Sequence, residues 1–199
     1  MLGDYTPPVP ESECVTVLQG MKQEAPDGVK VSYAMGSGFS EADEHEKAKA
    51  MALAEESDVI VAVVGGSSSR FGGAVFDANG AASKGTGSRS MDCGEGMDTA
   101  KVHIPAAQEE LIAALARLGK PLVTVVIAGR AYCIEKIENA SDAVLYAFYR
   151  DRWEAGQLLS FSMEAAIRPA VFRFLCHATW DRSRYATIIG LPLPRRTVI

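Results

Sequence analysis

No apolar run in this chain of 199 residues reaches the roughly 18–20 needed to span a bilayer, so a membrane-spanning protein is excluded. The opening Met1-Leu2-Gly3-Asp4-Tyr5-Thr6-Pro7-Pro8 lacks the basic head and apolar stretch of a signal peptide. Cysteine is scarce, at four residues (Cys14, Cys93, Cys133 and Cys176). Their spacing matches no metal motif, and they are too few for a disulfide scaffold. Histidine is scarcer, and the three (His45, His103 and His177) are scattered without a close partner, so no metal is expected. Positive charge is in deficit: the net charge is −5, which argues against nucleic acid as a partner. What remains, 48% hydrophobic and 23% charged, is the composition of a globular domain.

The charge deficit is uneven. Residues 1–149 hold 12 Lys and Arg against 21 Asp and Glu. Residues 150–199 hold 8 Arg, no Lys and 4 acids, together with both tryptophans, Trp153 and Trp180. The composition break at 149–150 divides the chain into a body and a tail.

Within the body, periodicity predicts alternating helices and strands. Val15, Leu18 and Met21 give residues 11–23 a helical spacing, which Pro26-Asp27-Gly28 ends with turn chemistry. Residues 29–34 alternate apolar and polar positions like a short strand. Ser40 and Asp43 fit the start of a helix running to residue 57. The β-branched run 59–64 predicts a strand buried on both faces. Residues 106–118 form an amphipathic helix, and 122–127 and 143–148 two more buried strands. Cys14 and Cys133, in helix or strand contexts, are expected to be small core residues. Strands alternating with helices imply an α/β fold with a parallel sheet between helical layers.

The rhythm stops between Gly65 and Pro105, a stretch that opens with nine of the 18 glycines, all between Gly65 and Gly96. A long glycine-rich connection leaving a strand's carboxyl end is where α/β proteins place their chemistry. Gly65-Gly66-Ser67-Ser68-Ser69 offers backbone amides to a phosphate, but no Lys follows and no Gly-x-Gly-x-x-Gly is present, so a nucleotide is disfavoured. Asp77, Asp92, Glu95 and Asp98 instead offer carboxyl groups; these serve acid/base chemistry in a partly dry pocket, or are simply solvated. Cys93 lies beside Asp92 and Glu95, a setting that disfavours the thiolate a nucleophile needs.

Several segments in order carry a resemblance. They are Leu2-Gly3-Asp4-Tyr5-Thr6-Pro7-Pro8; the stretch 29–35; Asp58-Val59-Ile60-Val61-Ala62-Val63-Val64-Gly65-Gly66-Ser67-Ser68-Ser69-Arg70; Met91-Asp92-Cys93-Gly94-Glu95-Gly96-Met97-Asp98; Ile104-Pro105-Ala106-Ala107-Gln108-Glu109-Glu110-Leu111-Ile112; and Val126-Ile127-Ala128-Gly129-Arg130-Ala131-Tyr132. Together they resemble the C-terminal α/β sandwich domain of glycoside hydrolase family 3, the β-glucosidases and β-xylosidases. The resemblance implies a three-layer α/β/α sandwich with a mainly parallel sheet, incomplete at its N-terminal strand and irregular after residue 149. It implies hydrolysis of terminal β-linked glucose or xylose from an oligosaccharide or other β-glycoside, without cofactor, nucleic acid or membrane. In that family the nucleophilic Asp comes from an N-terminal barrel, a part this chain is not expected to contain, so the fragment alone is expected to be inactive. The resemblance puts Glu95 as the acid/base residue, with Asp92 second. Arg70 and Asp98 are substrate-binding candidates; Arg70 also reads as a solvated rim residue and Asp98 as a residue that holds the loop. Thr99 stands where the family's Gly-Glu-Gly-x-Asp-Arg pattern has Arg. The alternative is a non-catalytic carbohydrate-binding or interaction module.

After Tyr149 the family pattern of a Gly-Pro-x-Gly-Gly turn, a helix and Asn-Pro-Ser-Gly-Arg-Leu is absent. It reappears if each true codon joins the third base of one tail codon to the first two of the next. Trp153, Met163 and Trp180 each have a single codon ending in G and precede Glu154, Glu164 and Asp181, whose codons begin GA. All three junctions then force Gly where the family pattern has Gly. Residues 150–199 are therefore expected to be a frameshifted, non-family tail.

Overall fold

The computed structural model describes residues 15–68, 92–94 and 98–148, the turn at 78–79, and the backbone of four short strands in the remainder. Element order is α1 (Val17–Glu24), α2 (Glu44–Glu55), β1 (Ile60–Gly65), β2 (Val75–Phe76), β3 (Ala82–Ser83), α3 (Ala106–Ala116), β4 (Leu122–Ala128), α4 (Glu135–Ala140), β5 (Ala143–Phe148), β6 (Arg173–His177) and β7 (Tyr185–Ile189). No helix among the described residues is long and apolar enough to cross a membrane.

The centre is a three-stranded parallel sheet in the order β1-β4-β5, in register from Ile60 opposite Leu122 and from Val123 opposite Ala143. The crossovers are α3 and α4. Period-2 alternation sends Ile60, Ala62, Val64, Leu122, Val126 and Ala128 to one face, where they pack with Ala54, Leu111, Ile112, Leu115 and Ile137 from α2, α3 and α4. The opposite face, with Val125, Ile127, Leu145 and Ala147, packs against Val61 and Val17 of α1. Helices on both faces of a parallel sheet make the α/β sandwich that the periodicity predicts. Outside it, β2 pairs with β3 and β6 with β7, both antiparallel.

Local chemistry fixes the element ends. Thr16 caps α1 in a reciprocal capping box with Gln19, and Asp43 caps α2 by accepting from the His45 and Glu46 N–H groups. Lys120 donates to the Glu55 and Ser57 carbonyls, tying the α2–β1 turn to the α3–β4 turn. The buried Thr124 hydroxyl is satisfied by Ser141 at 2.7 Å.

Three expectations need correction. Residues 29–34 are not a strand: they carry a single-residue bridge at Val31, and Val29 and Val31 pack against Met21, but no ladder to β1 extends from that bridge. The run 59–64 is not buried on both faces: Ile60, Ala62 and Val64 are buried against the α2–α3 side, whereas Val63, on the opposite face, is 45% exposed because that face is covered only in part. Cys133 is exposed rather than a core residue, since it follows the carboxyl end of β4 and pairs only through a bridge to His103. Cys14 lies outside the described residues.

Candidate active-site region and family membership

The carboxyl ends of β1 and β4 bring two loops together, the place where open α/β sheets build their sites. Gly65, at φ +152°, and Gly66 let the chain leave β1 hard against β4. A Cβ on Gly65 would sit 1.7 Å from the Ile127 carbonyl oxygen, and one on Gly66 2.0 Å from the Tyr132 hydroxyl. Glycine is required at both positions by close approach.

Into this space comes Asp92. Its Oδ1 accepts from the Ser67 N–H at 2.8 Å and its Oδ2 from the Tyr132 hydroxyl at 2.6 Å. The Asp92 and Cys93 N–H groups both donate back to the Ser67 carbonyl. Tyr146 continues the network, accepting from the Tyr132 N–H at 3.1 Å and donating to the Arg130 carbonyl at 2.6 Å. Cys93 is buried beneath it. Burial first, then the hydrogen bond and charge of Asp92, push the Tyr132 phenol far above the usual tyrosine range. Burial likewise raises Tyr146, opposed by the hydrogen bond it accepts from the Tyr132 backbone. Tyr132 is thus a fixed hydrogen-bond donor, and Asp92 an acceptor with both oxygens engaged.

Of the residues singled out in the sequence, the structure places Asp92 at the centre of this network. Asp98 is exposed and is not among the hydrogen-bond partners of Asp92. Glu95, Arg70 and Asp77 lie outside the described residues. Tyr132 and Tyr146 carried no assignment in the sequence, and Ser67 only a backbone amide offered to a phosphate, which Asp92 takes instead; Tyr132 was visible only as the end of the Gly129-Arg130-Ala131-Tyr132 motif. Gln108 was also missed. Its carboxamide, 6% exposed, accepts from the Gly65 N–H at 2.7 Å and donates to the carbonyls of Gly65 and Phe39 at 3.1 and 2.7 Å. No group of three or more potential metal ligands exists among the described residues.

Residues 1–159 match the glycosyl hydrolase family 3 C-terminal domain. The chain belongs to that family. It is 30% identical over 151 residues to a beta-xylosidase of Formosa agariphila, a match covering 75% of this chain and 17% of the relative. It is 28% identical over 176 residues to a periplasmic beta-glucosidase of Salmonella typhimurium, covering 78% of this chain and 20% of the relative. Among solved structures, a beta-glucosidase from Listeria innocua in complex with gluconolactone matches 92% of this chain and 25% of its own, with a TM-score of 0.56 and 19% identity. A family 3 exo-beta-xylosidase in complex with a xylobiose aziridine probe matches 80% of this chain and 18% of its own, with a TM-score of 0.59 and 21% identity. The family 3 chain described here therefore spans about a fifth of the length of its curated relatives.

Proposed function

We propose that this chain is the sandwich-domain portion of a retaining glycosidase that removes terminal β-linked glucose or xylose. In this reading Glu95 is the acid/base residue, and Asp92 positions it. Arg70 and the exposed Asp98 contact the sugar. The nucleophilic carboxylate belongs to a separate barrel domain, and double displacement needs both carboxyl groups about the same bond. The chain alone is then a binding half-site without turnover, and residues 150–199 are a frameshifted continuation.

The observation that carries the reading is the clamp on Asp92. Two donors, the Ser67 N–H and the Tyr132 hydroxyl, hold the peptide three positions before Glu95 against the carboxyl end of β1. Such anchoring gives the main chain at 92–94 a fixed place above the sheet. The test is an assay of the 199-residue chain with chromogenic β-glucoside and β-xyloside, beside titration with glucose and xylose. Weak sugar binding without release of chromophore is expected. Turnover that disappears in Glu95→Gln would overturn the claim that the chain lacks its nucleophile, while leaving the acid/base assignment intact. Sequencing the coding DNA across the Tyr149–Arg150 junction tests the tail, and a meaningless shifted frame would remove that part.

A further inference from the structure

In the first turn of α3 one buried oxygen has no partner. The Glu109 side chain is only 7% exposed there. Its Oε2 accepts from the Lys136 ammonium at 2.6 Å, but its Oε1 meets no hydrogen-bond donor. Leaving a carboxylate oxygen orphaned at that depth costs free energy, so its presence calls for an account. Facing it is the imidazole of His103, whose Nδ1 lies 4.0 Å from Oε1, close enough for charge to act but too far for a hydrogen bond.

His103 is paired in turn with Cys133. The two residues form a parallel bridge, closed by the Cys133 N–H on the Val102 carbonyl at 2.6 Å. Residues paired across such a bridge carry their side chains on one side, which sets the Cys133 thiol beside the imidazole. Cys133 is exposed and His103 half exposed, so a solute reaches both. Lys136, three positions on, reports the same neighbourhood. Glu109 holds its ammonium above the ordinary lysine range, by hydrogen bond first and charge second, and the charge of Cys133 adds to it. Thiol, imidazole and carboxylate thus stand in the order of nucleophile, base and orienting group.

We infer that Cys133 is a modification site, a thiol that exchanges with low-molecular-weight disulfides while His103 takes its proton and Glu109 receives the imidazolium. The step balances without an outside oxidant. The thiol gives its proton to the imidazole, and its sulfur attacks one sulfur of R–S–S–R. The Cys133–S–S–R bond forms as the original S–S bond breaks, and the imidazolium protonates the departing thiolate to R–SH. While it carries the proton, His103 gives Glu109 Oε1 the charged donor it lacks at rest, which accounts for the orphaned oxygen. Acyl transfer is the poorer reading of the same thiol. It passes through an oxyanion, and the Cys133 N–H that could stabilise one is spent on Val102. Cys93, the other cysteine among the described residues, is buried, so it is not poised to displace the adduct. The inference is independent of the glycosidase reading.

The probe is glutathione disulfide, added near neutral pH to the 199-residue chain in the Cys14→Ser, Cys176→Ser background, with the adduct at each cysteine followed by peptide mass. Cys133 should react at least about tenfold faster in the folded chain than in the same chain in urea. His103→Ala should lower the folded rate to the unfolded one, and imidazole in the buffer should return part of it. Glu109→Gln keeps the shape and removes the charge; it should slow the reaction about threefold or more, and have no effect once His103 is replaced. His103 is half exposed, so its replacement spares the core and decides the matter alone should Glu109→Gln not fold. A folded rate no faster than the unfolded one, or a rate unchanged in His103→Ala, overturns the inference. So does a greater loss in Lys136→Ala than in His103→Ala, which would make the ammonium the group that activates the sulfur.

Discussion

On its inner edge β1 pairs with β4 at every position from Ile60 to Gly65, while its outer edge meets the Gln108 carboxamide at one end and an apolar slot along the rest. The side chains of β1 differ by face instead: Ile60 and Val64, on the face covered by α2 and α3, are nearly inaccessible, whereas Val63 on the other face is almost half exposed. All belong to one apolar run, so residue type does not separate them. What separates them is what lies over each face.

The comparison can be broken most forcefully at Gly65. Gly65→Ala drives a methyl group into the Ile127 carbonyl, and neither backbone can yield without opening the β1–β4 ladder. A loss of about 4 kcal/mol or more, or no folded protein, is expected in urea denaturation. Next is Ile112→Ala on α3, a fully buried position over the face that carries Ile60 and Val64, expected to cost about 2–5 kcal/mol in the same measurement. Tyr132→Phe removes the donor to Asp92 and should cost about 1–3 kcal/mol. Val63→Thr, on the exposed face, should change stability by no more than about 0.5 kcal/mol. If Val63 proves as sensitive as Ile112, that face is covered.

The tyrosine network adds a pH dependence with a definite sign. Tyr132 and Tyr146 titrate higher in the folded chain than in the unfolded one. Above about pH 10, where a free tyrosine ionises, the unfolded state has lost protons that the folded state keeps, so stability falls as pH rises. Below that pH the contribution is fully present. Denaturation midpoints measured from pH 8 to 11 should decline at the alkaline end, and Tyr132→Phe should flatten the decline. An unchanged slope in the variant would mean that Tyr132 is not the group responsible.

The parallel sheet was legible because β1, β4 and β5 are continuous apolar runs, and α3 because Leu111, Ile112 and Leu115 recur at helical spacing. Helix α4 escaped notice: it has six residues and buries one side chain, Ile137, too little for periodicity to register. The hairpin β2–β3 has two residues per strand. Asp92 was legible as a loop acid in a motif, but its partner Tyr132 lies forty positions away, and no local pattern links a tyrosine after one strand to a loop leaving another. Val63 was misread because a continuous apolar run does not say how much of each sheet face the helices cover.

The chain also carries its own clock. Cys133 is exposed, while Cys93 is 2% exposed beneath the Asp92–Tyr132 clamp, and neither is in a disulfide. With labelling followed site by site in the Cys14→Ser, Cys176→Ser background, a thiol reagent should modify Cys133 at once and Cys93 only as often as the segment at 92–94 lifts away. The lag between the two reactions times the opening of the loop that precedes Glu95, and Tyr132→Phe should shorten it.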